Sequence, residues 1–137
     1  MKLFMIALGF VLCAAAGNAD AEPVSYRLST HILDVSRGIP APGVDVELFK
    51  FNPESGEWTP EASAVTGENG RIGEFVPAGP DDNGIYKLKF NTAPYFKAQN
   101  QSSVYPYIEV VFKMDGEGHY HIPVTVSANG YATYKGN

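Results

Sequence analysis

Apolar residues recur at every second position along much of this chain, and that period constrains it more than any other feature. Tyr26–Val35 alternates small or polar residues with apolar ones, as do Val44-Asp-Val-Glu-Leu48 and Tyr86-Lys-Leu-Lys-Phe90. Successive side chains of a strand point to opposite faces, so this is the pattern of strands with one buried face. Tyr107–Met114 is rich in β-formers with looser spacing, Tyr120–Ser127 predicts another strand, and Gly130–Lys135 a short last one. Glu57–Val65 and Arg71–Val76 carry weaker strand patterns. Turn chemistry separates these runs: Gly38–Gly43 with two prolines, Asn52–Gly56, Glu68-Asn69-Gly70 and Pro80–Gly84. Turns at intervals of about 8–12 residues between short strands predict an all-β sandwich or barrel. One stretch departs from the pattern. Thr92–Gln101 has a threonine in the N-cap position and Pro94 close behind it, which predicts a short helix.

At 137 residues the chain is expected to hold one folded domain. Its first 21 residues read as an address rather than as structure. Lys2 precedes an apolar run from Leu3 to Ala16, and Ala19-Asp20-Ala21 fits a small-x-small cleavage pattern. The run is shorter than a membrane-spanning helix needs, and no second one follows. A secretory signal peptide over 1–21, a mature domain over 22–137, a periplasmic location and no membrane association after cleavage are therefore expected. A lipid anchor on Cys13 is the competing reading; bulky Leu12 argues against it. Cys13 is the chain's one cysteine, so the mature domain would have no disulfide, thiolate nucleophile or cysteine-ligated metal. The leader contributes one basic and one acidic residue, leaving the net charge of −5 on the mature domain. With no Lys/Arg-rich run, nucleic acid is excluded as an expected partner.

Chemistry has few residues to use. The chain has three histidines. His31 lies within the first strand pattern, sharing a face with Ser29 and Leu33. His119 and His121 are two apart, which directs both to one face of a late strand. Lone histidines are most often surface or satisfied core residues, and a shared face shifts that balance only a little. Two functional readings remain open on spacing alone. The three imidazoles could form a zinc site with an open position for water. Alternatively, neutral imidazoles could take a proton from water directly, since their ordinary pKa of about 6.5 suits neutral pH. Arg71 follows the Asn69-Gly70 turn. It is either a solvated residue at a loop edge or a guanidinium aimed at an oxyanion or planar anionic ligand. Tyr131 and Tyr134 are core aromatics or pocket walls. No phosphate loop, nucleophile elbow or metalloprotease motif occurs.

Several blocks nevertheless occur together in a recognisable order: Leu28-Ser-Thr-His-Ile-Leu-Asp34, Gly70-Arg71, Thr92-Ala-Pro-Tyr-Phe96, Tyr105-Pro106, His119-Tyr-His-Ile-Pro-Val124 and the closing Gly130-Tyr-Ala-Thr-Tyr-Lys-Gly-Asn137. From about Tyr26 to its end the chain resembles the 5-hydroxyisourate hydrolases, transthyretin-related enzymes of urate breakdown. Transthyretin itself, the hormone carrier of the same fold, lacks this histidine set. The resemblance implies a transthyretin-like sandwich of two four-stranded sheets. It implies a homotetramer, a dimer of dimers, with active sites where two dimers meet, and no cofactor or metal. It places His31, Arg71 and His121 on catalytic positions and gives His31, Arg71 and Tyr134 the substrate contacts. His119, Lys135 and Asn137 are further candidates. The implied reaction is hydrolysis of 5-hydroxyisourate to 2-oxo-4-hydroxy-4-carboxy-5-ureidoimidazoline, by histidine-activated water with arginine holding the substrate. A non-catalytic small-ligand carrier and the three-histidine zinc site are the alternatives. One departure stands out: the family usually ends Tyr-Arg-Gly-Ser, and this chain ends Tyr134-Lys135-Gly136-Asn137. Lys135 keeps the charge without the bidentate fork, and Asn137 is polar without a hydroxyl.

Overall fold

Strand β1, Tyr26–Asp34, organises one of two packed sheets. The computed structural model describes residues 25–77, 79 and 81–137; the expected leader over 1–21 and its cleavage point lie outside them. Leu28, Thr30, Ile32 and Asp34 of β1 are buried, whereas Ser29, His31 and Leu33 occupy the outer face half-buried. The period of two thus translates directly into an inner and an outer set.

The other elements are β2 (Ile39–Pro40), β3 (Asp45–Asn52), β4 (Glu57–Val65), β5 (Arg71–Pro77), β6 (Gly84–Phe90), α1 (Ala93–Lys97), β7 (Ile108–Met114), β8 (Tyr120–His121), β9 (Val124–Ser127) and β10 (Gly130–Thr133). One edge of β1 takes β5 and then β2, both antiparallel. The other edge takes β8 and then β9, both parallel, and β10 closes that side against β9. The ten strands therefore fill four positions in this sheet and four in the other, which runs β4-β3-β6-β7. The described residues form an all-β sandwich with one short helix, as the resemblance implied.

The core lies between the sheets. Leu28, Ile32, Val124 and Val126 from one meet Val46, Leu48, Leu88, Phe90 and Ile108 from the other, with Phe96 of α1 against them. Each such large side chain removed from water contributes about 1.5–3 kcal/mol.

Local differences from the sequence pattern have identifiable causes. Tyr120–Ser127 is two strands rather than one, because Pro123 has no N–H for the ladder. The Thr133 hydroxyl instead donates to the Pro123 carbonyl at 2.8 Å. The last strand ends at Thr133 rather than Lys135. The helix covers only Ala93–Lys97, and Thr92 occupies the N-cap without a side-chain capping bond. Its backbone is already helical, and Pro94 at N2 removes one amide that such a hydroxyl would serve. The weakly patterned Glu57–Val65 becomes a full edge strand; Pro60 is accommodated there because only β3 pairs with it.

Candidate active site

The outer face of β1 is where the sequence-derived residues meet. His31 pairs directly with Arg71 of β5 on one edge. On the other edge Ser29 pairs with His121 of β8. Adjacent strands lie about 4.8 Å apart, and residues i and i+2 on one strand about 6.6 Å apart. Arg71 and His121 therefore flank β1 on opposite sides, with Ser29 and His31 between them, all on one face.

Each arm is held by local chemistry. Arg71 opens β5 after a turn in which the Asn69 side chain accepts the Arg71 N–H at 3.0 Å. Gly70 sits at φ +70 directly beneath β1; a Cβ there would lie 2.6 Å from the Ile32 carbonyl oxygen. The Gly70 carbonyl also accepts the Ile32 N–H at 2.9 Å. Only glycine fits both the backbone angle and the space.

His121 is held from two directions. Its Nδ1 lies 2.8 Å from Ser29 Oγ, and the same Oγ lies 2.7 Å from His119 Nε2. His119 Nδ1 donates to the Tyr26 carbonyl at 2.8 Å. From the other direction, the C-terminal tail bridges to His121 through Gly136, whose N–H donates to the His121 carbonyl at 2.7 Å. A Cβ on Gly136 would come within 2.6 Å of His121 Cδ2, so the tail packs against the ring as only glycine allows.

The electrostatics favour neutral imidazoles. Burial, then the Arg71 guanidinium, then the His121 ring hold His31 below the ordinary histidine value, against a backbone hydrogen bond with Asn69. His121 is lowered by burial first, then by Arg71 and His119, against a backbone hydrogen bond with Ser29. Arg71 thus acts on both rings while its own side chain is exposed. His31 Nε2 is buried and has no hydrogen-bond partner among the described residues. Such atoms are rare in folded proteins.

Other candidates stand further off. Tyr134 is 59% exposed on the tail. Lys135 lies with its Nζ 4.9 Å from the Tyr120 ring centroid, and Asn137 is exposed. The three histidines do not assemble a zinc site within the chain, since His119 directs both nitrogens to Tyr26 and Ser29. Among the described residues no group of three or more His, Cys, Asp or Glu side chains is arranged to hold a metal ion. Sequence reasoning missed the roles of Ser29 and Gly136. Alternation placed Ser29 on the histidine face, but its contacts depend on parallel pairing between segments 92 residues apart.

This arrangement of histidines and arginine on the first strand of a two-sheet sandwich coincides with a family match. The profile described as the HIUase/Transthyretin family covers residues 28–136. The chain belongs to this family. A probable 5-hydroxyisourate hydrolase of Caenorhabditis elegans is 42% identical, over 95% of this chain and 96% of the relative. The 5-hydroxyisourate hydrolase of Salmonella typhi is 34% identical over the full length of both. Among solved structures, Klebsiella pneumoniae 5-hydroxyisourate hydrolase superposes with a TM-score of 0.67 at 36% identity, covering 80% of this chain and 98% of that one. Sea bream transthyretin in complex with thyroxine gives 0.74 at 30% identity, covering 79% and 92%. The proteins similar to this chain thus include some named as hydrolases and some named as transthyretin.

Proposed function

We propose that this protein is a 5-hydroxyisourate hydrolase, and that His31, Arg71 and His121 carry the reaction. The observation that supports it is the convergence of two imidazoles held towards neutrality and one exposed guanidinium on one face of β1. The relatives named as 5-hydroxyisourate hydrolases support the choice of substrate.

The chemistry is that of a cyclic amide meeting a polarised water. 5-Hydroxyisourate is a flat bicyclic compound whose six-membered ring contains a hydrolysable N–C(=O) bond. His31 and His121 hold a water and take its proton as the oxygen attacks that carbonyl. Placed general bases of this kind contribute about 100–10,000-fold. Arg71 aligns the substrate's oxygens and offsets the charge that builds on the tetrahedral intermediate. As the tetrahedral intermediate collapses, the proton taken from water passes from the imidazole to the leaving ring nitrogen, the C–N bond breaks and the ureidoimidazoline carboxylate remains. Tyr134 contacts substrate from the tail, where Gly136 brings the chain alongside His121. Because the face of a single chain is open at Arg71, a second copy completes the site, in a homotetramer built as a dimer of dimers. Export through the leader places the activity in the periplasm.

The test is decay of freshly generated 5-hydroxyisourate followed by ultraviolet absorbance. The protein is expected to accelerate it well beyond buffer, and His121→Ala or Arg71→Ala to remove that acceleration. Loss of one oxyanion donor typically costs about 100–1,000-fold. A folded protein no faster than buffer would favour a ligand carrier instead. Activity lost to a chelator and restored by zinc would favour metal chemistry.

A further inference from the structure

Ser29 stands between His119 and His121, and its hydroxyl has one proton to give. We infer that Ser29 and His119 are positioning residues that fix His121 as the Nδ1–H tautomer and leave its Nε2 unprotonated. The direction of the chain follows from its far end. The Tyr26 carbonyl can only accept, so His119 Nδ1 carries a proton. In the neutral ring His119 Nε2 is then a lone pair, and the Ser29 hydroxyl donates to it across 2.7 Å. Ser29 Oγ has spent its proton and can only accept from His121 Nδ1, 2.8 Å away. His121 Nδ1 must therefore carry the proton, and Nε2 is the free base. Each member of the chain is specified by the one before it.

Although His119 is exposed, the order of polarity is set by groups fixed in the fold. Tyr26 and Ser29 belong to β1 itself. The loop that delivers His119 is tied down at Gly118, whose carbonyl accepts the Arg27 Nε–H at 2.9 Å. Arg27 is in turn buried against Asp82. A free imidazole side chain favours the opposite tautomer, with its proton on Nε2, so without the chain the nitrogen that should act as base would be the one carrying hydrogen. A hydrogen bond on one ring nitrogen setting the role of the other is how histidines are generally tuned.

This inference rests on the hydrolase reading only for what Nε2 does; the tautomer itself follows from the hydrogen bonds. It is therefore tested without substrate as well as with it. In 15N-labelled protein at a pH of about 8.5, two units above the ordinary histidine value, long-range proton–nitrogen correlation distinguishes protonated from bare ring nitrogens. His121 is expected to show a protonated Nδ1 and a bare Nε2. In Ser29→Ala the His121 signals move towards the Nε2–H form, and kcat for 5-hydroxyisourate falls on the order of tenfold to a hundredfold with little change in KM. Ser29→Thr keeps a hydroxyl on a strand that welcomes a β-branched residue, and it retains both tautomer and kcat. His119→Ala, which removes the acceptor of the serine proton, gives a partial loss of both.

A wild-type His121 protonated on Nε2 overturns the inference. So does a Ser29→Ala protein whose ring nitrogens and kcat match wild type, or a Ser29→Thr protein as impaired as Ser29→Ala. If the stated tautomer is found in a protein that does not hydrolyse the substrate, the hydrolase reading fails and the chain stands. If the protein is active but the Ser29 variants leave the nitrogens unmoved, the chain fails and the hydrolase reading stands.

Discussion

His31 and His121 differ from free histidines because burial and Arg71 both disfavour their protonated forms. The consequence for pH has a definite sign. Native values below the unfolded value of about 6.5 mean that the unfolded chain binds more protons in the window just below 6.5. The stability these residues contribute is fully present above that value and is lost as pH falls through it towards the native one. Titration by NMR is expected to give both imidazoles midpoints below 6.5, and Arg71→Gln to raise both. Unchanged midpoints in that variant would mean that the guanidinium lies too far off to act on either ring. Gly136 makes a second prediction at this scale. A methyl group there would stand 2.6 Å from His121 Cδ2, and the ring cannot yield without breaking its bond to Ser29. Displacement by about 1 Å can cost on the order of a hundredfold, so Gly136→Ala is expected to lower kcat/KM by that order. Wild-type kinetics in the variant would show that the tail is free to move aside.

Among the elements, β1 serves both the core and the site, and β5 and β8 bring one site residue each to its two edges. The turn before β5 is the most exposed to substitution. Gly70→Ala forces a left-handed backbone angle on a residue with a side chain, at about 1–2 kcal/mol, before its overlap with the Ile32 carbonyl is counted. Equilibrium unfolding in urea is expected to show a loss at least that large, accompanied by reduced activity as Arg71 shifts. A neutral result would mean that the turn repacks at no cost. The strands that follow strict alternation were legible from the sequence because one face is buried and the other is not. The break at Pro123 and the two-residue β2 were not, and β4 was legible over Glu57–Val65 only as a weak pattern, since each depends on which neighbour supplies its hydrogen bonds.

For the whole molecule, the proposed site depends on assembly. The outer face of the β1 sheet carries a charged guanidinium and two imidazoles, with Tyr134 exposed on the tail that returns to His121. A water-excluding site on so open a surface needs a wall, and a second copy of the chain is the proposed source. Light scattering is expected to find a tetramer, and dilution to reduce specific activity as it dissociates. A monomer with full activity would contradict a shared site.

The sequence by itself determined an all-β fold, because a period of two with turns at short intervals leaves a sandwich or a barrel as the ways to bury one face, and the family resemblance narrowed these to the sandwich. It also marked the residues to watch, since histidines and an isolated arginine in a chain with so little other reactive chemistry are conspicuous, and their order in the chain matched a family. Tertiary structure alone decided how those residues act on one another. Ser29 meets His119 and His121 only because distant segments pair in parallel, and Gly136 meets His121 only because the tail folds back beside it. Hydrogen-bond direction and ring contact are properties of geometry between strands, and periodicity along one strand does not encode them.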